Sequence, residues 1–367
     1  MAVTGAGSGL GEALALRLVA RAREQKDVGK VVGIAPRRGQ VDGVVYRVVD
    51  TCDPRLAGRL TGVDVVVHLD LDHTLEQGLP SADGSGPVGR DDAEPAGPAD
   101  STRTVRSTQT VLTAAAAAGV RRVVLVTSAM VYGALEDNPV PLPEDAPLRA
   151  VADGTLLGEL LEVERLAELA PRAHPGLSVT VLRPAALVGD GVDSIVTRHF
   201  EAPRLLVVRG SDPHWQFCHV EDLLSALELA AVGAVEGTVT VACDGWLEQE
   251  EVERISGLRR IELPPSLAFG TAERLHRLGV LPAPASDLAY LMHPWVVPST
   301  RLREAGWVPA HDNASVLALL LEQVQGHHAV AARRLGRRDA TLGAAGAAVA
   351  VVGTAALVRR ARRARRR

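Results

Sequence analysis

The sequence predicts an α/β protein: a doubly wound parallel sheet, a smaller mixed C-terminal subdomain and a C-terminal helical tail. Three observations carry this. Apolar, β-branched runs alternate with helical patterns through the first half of the chain. The runs are near-continuous in Val, Ile and Leu, as strands buried on both faces require. A glycine-rich stretch separates the first run from the first helical pattern.

In order, Ala2–Thr4 is a short strand, followed by the glycine stretch and a helix over 10–23. Strands follow at 30–35, 44–50, 64–69, 122–128 and 178–187. The shortness of the first strand suggests that a few residues precede the stated start. Residues 71–102 break the alternation. Rich in Gly, Pro, Asp and Ser, they read as a mobile surface loop. Beyond 187 the pattern is mixed, with strands at 205–209 and 238–242, helices at 220–231 and 249–255, and a proline-punctuated, loop-rich stretch over 264–298. These features divide the chain into a Rossmann-type domain over 1–190, a mixed region over 191–325 and a tail over 326–367. Part of the mixed region, about 214–243, is expected to return to the core.

The chain has 367 residues, 47% hydrophobic and 23% charged, which is globular composition and excludes a disordered or disulfide-stapled chain. Three cysteines without paired spacing read as small buried hydrophobes in a reducing compartment. The formal charge is −4, but residues 330–367 hold eleven arginines and one aspartate, or +10, so the body carries −4 − 10 = −14. An acidic body argues against nucleic-acid binding. No basic-then-apolar leader precedes the glycine stretch, so the expected location is the cytoplasm.

The opening TGAGSGLG places Thr4, Gly5, Gly9, Leu10 and Gly11 between a strand and a helix. Glycines there permit a tight turn and let backbone N–H groups approach a pyrophosphate, and the helix N-terminus adds its dipole. The expected ligand is a dinucleotide. The second strand ends in VVGIAPRR, so Ala35 stands where a carboxylate would select NAD, with Arg37 and Arg38 beyond it. Two guanidiniums suit a 2′-phosphate, which favours NADP(H), with NAD the alternative. Asp50 and Thr51 end the third strand, where they would lie beside the adenine; Asp50 would accept from its amine or cap the turn. His68 ends the fourth strand and is expected beside the glycine loop.

Over about residues 1–325 the chain resembles an extended short-chain dehydrogenase/reductase of the NAD-dependent epimerase/dehydratase type. TGAGSGLG, DVVVHLD, VVLVTSAMVYGA, VTVLRPAALVG, WQFCHVEDLLSAL and AGWVPAHD occur in the family's order. The resemblance implies a cofactor-binding core, a substrate-side region and an oxidoreductase or epimerase ancestry. It also implies a Tyr-x-x-x-Lys pair on the helix after the fifth strand, the tyrosine acting as acid/base and the lysine lowering its pKa. Aligned by Glu162, that helix has Gly154 at the tyrosine place and Gly158 at the lysine place, and no tyrosine or lysine occurs between residues 134 and 176. Thr104 stands where the family has asparagine. Ser128 keeps the family's serine position and is the remaining catalytic candidate. Tyr132 belongs to a structural position, and without a nearby lysine its pKa is expected near 10. His219 reads as structural. The implied protein is a degenerate member that binds nucleotide or another small ligand, or regulates. The alternative is an active NADP-dependent oxidoreductase or epimerase on a sugar-nucleotide or lipophilic carbonyl, with Asp153 or Glu159 as an unorthodox acid.

Residues 340–358 contain no charge and would span about 28 Å as a helix, close to a bilayer core. Arginines flank them at 333–338 and 359–367. Spanning would export seven arginines against the positive-inside bias, whereas a surface helix pinned to anionic lipid would not. Contact of 333–367 with an anionic membrane, spanning or on the surface, and self-association as a homodimer are both open.

Overall fold

The computed structural model describes residues 1–7, 9–25, 27–69, 98–151, 156–277, 284–324, 328–330 and 333–335. A seven-stranded parallel sheet forms the centre. Its strands are β1 (Ala2–Thr4), β2 (Val31–Ala35), β3 (Val44–Val48), β4 (Val65–His68), β5 (Arg122–Val126), β6 (Ser178–Pro184) and β10 (Gly237–Val241). The spatial order is β10-β6-β5-β4-β1-β2-β3. The strand order therefore reverses between β1 and β4, the point at which open α/β sheets hold ligands beyond the carboxyl ends of their strands.

Helices cover both faces. On one, α1 (Gly9–Glu24) packs beside α6 (Val220–Val232). The stripe Leu10, Leu14 and Leu18 recurs every four residues and meets Leu223 and Leu227 in one buried cluster. On the other, α2 (Leu56–Arg59), α3 (Pro98–Ala117) and α4 (Leu156–Ala173) pack in sequence. Leu56, Leu60, Val111, Val163 and Ala167 form the second cluster. Each fully buried leucine contributes about 1.5–3 kcal/mol, so the two clusters hold the sheet rigidly under the site.

The apolar run over 178–187 is not one strand. β6 leaves the main sheet after Pro184, which has no N–H to continue the ladder. β7 (Ala186–Val188) then pairs in parallel with β9 (Phe217–His219). β10 pairs with β6 at the edge of the main sheet, with Val239 opposite Leu182. β8 (Leu205–Val208) pairs with β11 (Arg260–Leu263) in a separate ribbon.

The stretch over 264–298 holds more structure than its prolines suggest. It contains α8 (Pro265–Arg277) and a 3₁₀ segment, Ala285–Leu291. Pro265 occupies the first helical position, where a missing N–H costs nothing. The same tolerance lets α3 begin at Pro98, so residues 98–102 are helical rather than loop; the rest of the expected loop, 71–97, lies outside the described residues. α5 (Ile195–Glu201), α7 (Gln249–Ser256), α9 (Thr300–Glu304) and α10 (Asn313–Val324) complete the mixed region. β12 (His328–Val330) and β13 (Arg333–Leu335) form an antiparallel pair. Among the described residues no helix is long and apolar enough to cross a membrane; residues 340–358 lie outside them. Cys218 and Cys243 are buried as expected, but Cys52 is only half-buried.

Candidate functional site: the glycine loop and its surroundings

β1 ends at Thr4, and the chain turns through Gly5 (φ 66°) and Gly9 (φ 55°), left-handed conformations that favour glycine. Gly11 serves packing. A Cβ there would lie 2.4 Å from the Gly5 carbonyl oxygen and 2.9 Å from that of Thr4. The first turn of α1 can therefore sit directly on the loop only because Gly11 has no side chain. Leu10 joins the buried core cluster beneath the first turn of α1. The loop thus presents backbone at a helix N-terminus, a surface that fits a pyrophosphate.

Thr4 and His68 tie β1 to β4. The Leu69 amide donates to the Thr4 hydroxyl at 2.9 Å, and that hydroxyl lies 2.8 Å from His68 Nδ1. The hydroxyls of Ser107 and Thr108 both donate to the Thr104 carbonyl, leaving their lone pairs toward His68 Nε2 at 3.5 and 3.4 Å. Both ring nitrogens of His68 thus face hydroxyls, and the ring bridges Thr4 on β1 to Ser107 and Thr108 on α3. His68 therefore sits beside the loop, as its position at the end of β4 suggested, and positions the crossover.

At the other end, Asp50 caps its own turn: one carboxylate oxygen accepts from the Cys52 amide at 2.8 Å, the other from Arg103 at 3.1 Å. Burial would raise its pKa, but the Cys52 N–H and the Arg103 guanidinium outweigh burial and hold it below the usual value. Asp50, Cys52, Asp53, Pro54, Arg55 and Arg103 surround an open hollow of about 480 Å³. Thr51 is buried. Arg37 and Arg38 are exposed just beyond β2 and make no side-chain hydrogen bond or ion pair among the described residues.

Ser128 is half-buried and caps the 3₁₀ turn Ala129–Tyr132, accepting from the Met130 amide at 3.2 Å. Tyr132 is fully buried. Its hydroxyl donates to the Glu144 carbonyl at 2.6 Å and accepts from Arg183 at 2.8 Å. Burial pushes that hydroxyl above its ordinary value of 10, so the expectation of an unperturbed pKa is corrected upward. Arg183 also pairs with Glu164 through two hydrogen bonds of 2.8 and 2.9 Å, and Thr127 donates to the same carboxylate at 2.6 Å. Glu164 and Arg183 are both buried. Glu162, in contrast, faces solvent and pairs with Arg165 on its own helix. Gly158 is the third residue of α4, whereas Asp153 and Gly154 lie outside the described residues. Leu160 closes against Val126, and with His68, Thr104 and Thr108 they border a cavity of only about 10 Å³.

His219 caps α6, accepting from the Glu221 amide at 3.3 Å, and its ring lies 4.1 Å from that of His311. Burial, then the neighbouring His311, lowers its pKa. One part of the site escaped the sequence reading. A hollow of about 340 Å³ opens between Gly9 and Leu10 on one side and Gly189, Asp190, His219 and Glu221 on the other. The Gly-Asp-Gly turn after β7 was its signal in the sequence.

The chain belongs to the NAD dependent epimerase/dehydratase family, whose model matches residues 1–241. An uncharacterized protein of Mycobacterium tuberculosis is 32% identical over 196 residues, 53% of this chain and 52% of the relative. The match thus spans about half the length of that relative. An uncharacterized protein of Sinorhizobium fredii is 25% identical over 247 residues, 63% of this chain and 60% of the relative. The dTDP-glucose 4,6-dehydratase of Streptomyces venezuelae, solved with NAD bound, superposes with a TM-score of 0.61 at 19% identity, covering 89% of this chain and 96% of that one. The UDP-glucose 4-epimerase of Thermotoga maritima, solved with UDP-glucose, gives 0.57 at 17%, covering 89% and 98%. At these identities the likeness is one of fold.

Proposed function

We propose that this chain is a dinucleotide-binding member of its family that takes NADP(H) and lacks the standard tyrosine–lysine proton transfer, acting as a ligand-binding or regulatory protein. One observation carries the reading. The α4 glutamate that reaches the sheet is Glu164, not Glu162. Counting back four and eight residues from Glu164 moves the lysine and tyrosine places from Gly158 and Gly154 to Leu160 and Leu156. Leu160 is packed against apolar neighbours and Leu156 starts the helix. Neither register offers a group that can take or give a proton. Ser128 is engaged in its own turn, and Tyr132 is held by Glu144 and Arg183.

A bound nicotinamide would supply hydride transfer; the chain's own part is to hold the pyrophosphate with the loop backbone and the adenosine end near Asp50 and Thr51. Ala35 is buried and carries no carboxylate, while Arg37 and Arg38 stand exposed beyond it. Those guanidiniums support the phosphorylated cofactor. We extend the proposal to the arginine-flanked tail, assigning residues 333–367 to contact with anionic lipid and the body to the cytoplasm.

Titration of the full-length protein with NADPH and NADH, followed by incubation with sugar-nucleotide and lipophilic carbonyl substrates, tests the reading. Tighter binding of NADPH, reduced by Arg37→Ala/Arg38→Ala, and no turnover are expected. A preference for NADH removes the phosphate assignment, and turnover at ordinary enzyme rates removes the degenerate reading.

A further inference from the structure

We infer that Asp212, His214 and Glu248 form a binding site for one transition-metal dication of the zinc class, separate from the glycine loop. Their ligand atoms all lie within 4.8 Å of one another. They come from two segments far apart in sequence, the connection between β8 and β9 and the start of α7.

The scaffold is rigid. Trp215 and Leu247 form an antiparallel bridge, each amide donating to the other's carbonyl at 2.9 Å. His214 and Glu248 are the next residues on either side of that bridge. They are thus a directly opposed cross-strand pair, the type in which side chains approach most closely. Trp215 is buried, stacks on His199 at 5.1 Å between ring centroids, and donates through its indole to Gln249 at 2.9 Å. The two ligand positions are therefore set by backbone pairing and an anchored neighbour.

Two of the three ligands, His214 and Glu248, are also oriented. His214 Nδ1 lies 3.1 Å from the Asp212 carbonyl oxygen, so Nδ1 carries the proton and Nε2 keeps its lone pair. Nε2 points toward Glu248 Oε1 at 3.7 Å, too far for a hydrogen bond. Glu248 is the N-cap residue of α7, yet its side chain makes no capping bond. It is turned instead toward His214, and the Trp246 indole N–H holds it at 2.7 Å. A histidine fixed by a carbonyl and a carboxylate fixed by an indole are the outer-shell supports that orient metal ligands.

The donor set selects the class of ion. One neutral imidazole and two carboxylates balance a dication, and an imidazole disfavours calcium and magnesium, which take oxygen donors. Three protein ligands leave a fourth, water-accessible position. Arg209 and Arg260 border the adjoining hollow of about 180 Å³ with Glu250 and Glu262. Arg260 is engaged by Glu253 and Glu262 at 3.6 and 3.4 Å, which offsets its charge.

The test uses full-length protein stripped with chelator, dialysed against zinc chloride and assayed for zinc per chain, with His214→Ala and Glu248→Gln alongside. Wild type is expected to hold one zinc more than His214→Ala. Affinity in Glu248→Gln should fall on the order of 100-fold, at least matching the loss of an outer-shell partner. Cobalt in place of zinc should give the visible absorption of a four-coordinate site in wild type and not in His214→Ala. Circular dichroism and the thermal midpoint without metal confirm that both variants are folded. Equal zinc in wild type and both variants, as binding at His327 and His328 would give, overturns the inference. So does failure of the wild type to retain zinc.

Discussion

Replacing Glu164 by leucine should destabilise the protein far more than the same change two residues earlier. Glu164 is 6% exposed and Arg183 7% exposed. Burial works against the Arg183 charge, and the hydrogen bonds and attraction from Glu164, aided by Tyr132, more than offset it. Removing the carboxylate leaves a buried guanidinium with only the Tyr132 hydroxyl, and leaves Thr127 without its acceptor. Breaking a buried pair in this way costs about 3–5 kcal/mol. With a urea slope of about 3 kcal/mol/M, the midpoint should fall by roughly 1 M or more. Glu162→Leu removes only a surface contact with Arg165 and should leave the midpoint unchanged. Glu164→Leu/Arg183→Leu should recover much of the loss, because no unpaired charge remains. Urea unfolding of the four proteins, followed by circular dichroism, supplies the measurement. If Glu162→Leu cost as much as Glu164→Leu, the buried pairing of Glu164 with Arg183 would not be the source of the loss.

Three further outcomes are expected. Gly11→Ala forces a Cβ to 2.4 Å from the Gly5 carbonyl and should weaken NADPH binding at least tenfold, whereas Gly58→Ala, with nothing within 4 Å, should leave binding unchanged by calorimetry. His199 is buried between aromatic rings, and burial lowers its pKa from 6.5 to about 4. Below pH 6.5 the unfolded chain takes up a proton that the folded chain refuses, so stability should be full above pH 6.5 and decline by about 3 kcal/mol as pH falls to 4. In His199→Phe that part of the decline should vanish from the pH series, and an unchanged slope would remove His199 as its source. Full-length protein should sediment with anionic vesicles while residues 1–329 stay in solution. High salt, which shortens the Debye length from about 8 Å, should release a surface-bound tail, whereas a spanning one should require detergent.

Much of the framework was legible because it is locally periodic. The Val/Ile/Leu runs of β2, β4, β5 and β6 read as strands since both faces are covered, and the stripe Leu10, Leu14, Leu18 reads as a helix since one face is. The glycine loop was legible for a different reason: Gly5, Gly9 and Gly11 answer backbone needs that few other residues meet. The ribbon of β8 and β11 was only half visible, because RIEL is largely exposed and carries no burial signal. The split of the run over 178–187 was hidden because β7 is as apolar as β6 and differs only in its partner.

The sequence by itself determined that the helix after β5 brings neither a tyrosine nor a lysine, since no register can supply a residue the segment does not contain. Which glutamate faces the sheet was decided only by the tertiary structure. Glu162 and Glu164 are separated by about 200° around the helix, and both sit in the same mixture of leucines and charges. The choice falls to Arg183, which β6 delivers beneath α4 and whose buried charge requires a carboxylate within hydrogen-bond reach. Likewise, nothing local links His214 to Glu248; the bridge between Trp215 and Leu247 makes them neighbours. Patterns along a chain report burial of the segment itself, whereas pairing between distant segments depends on where the folded backbone places each partner.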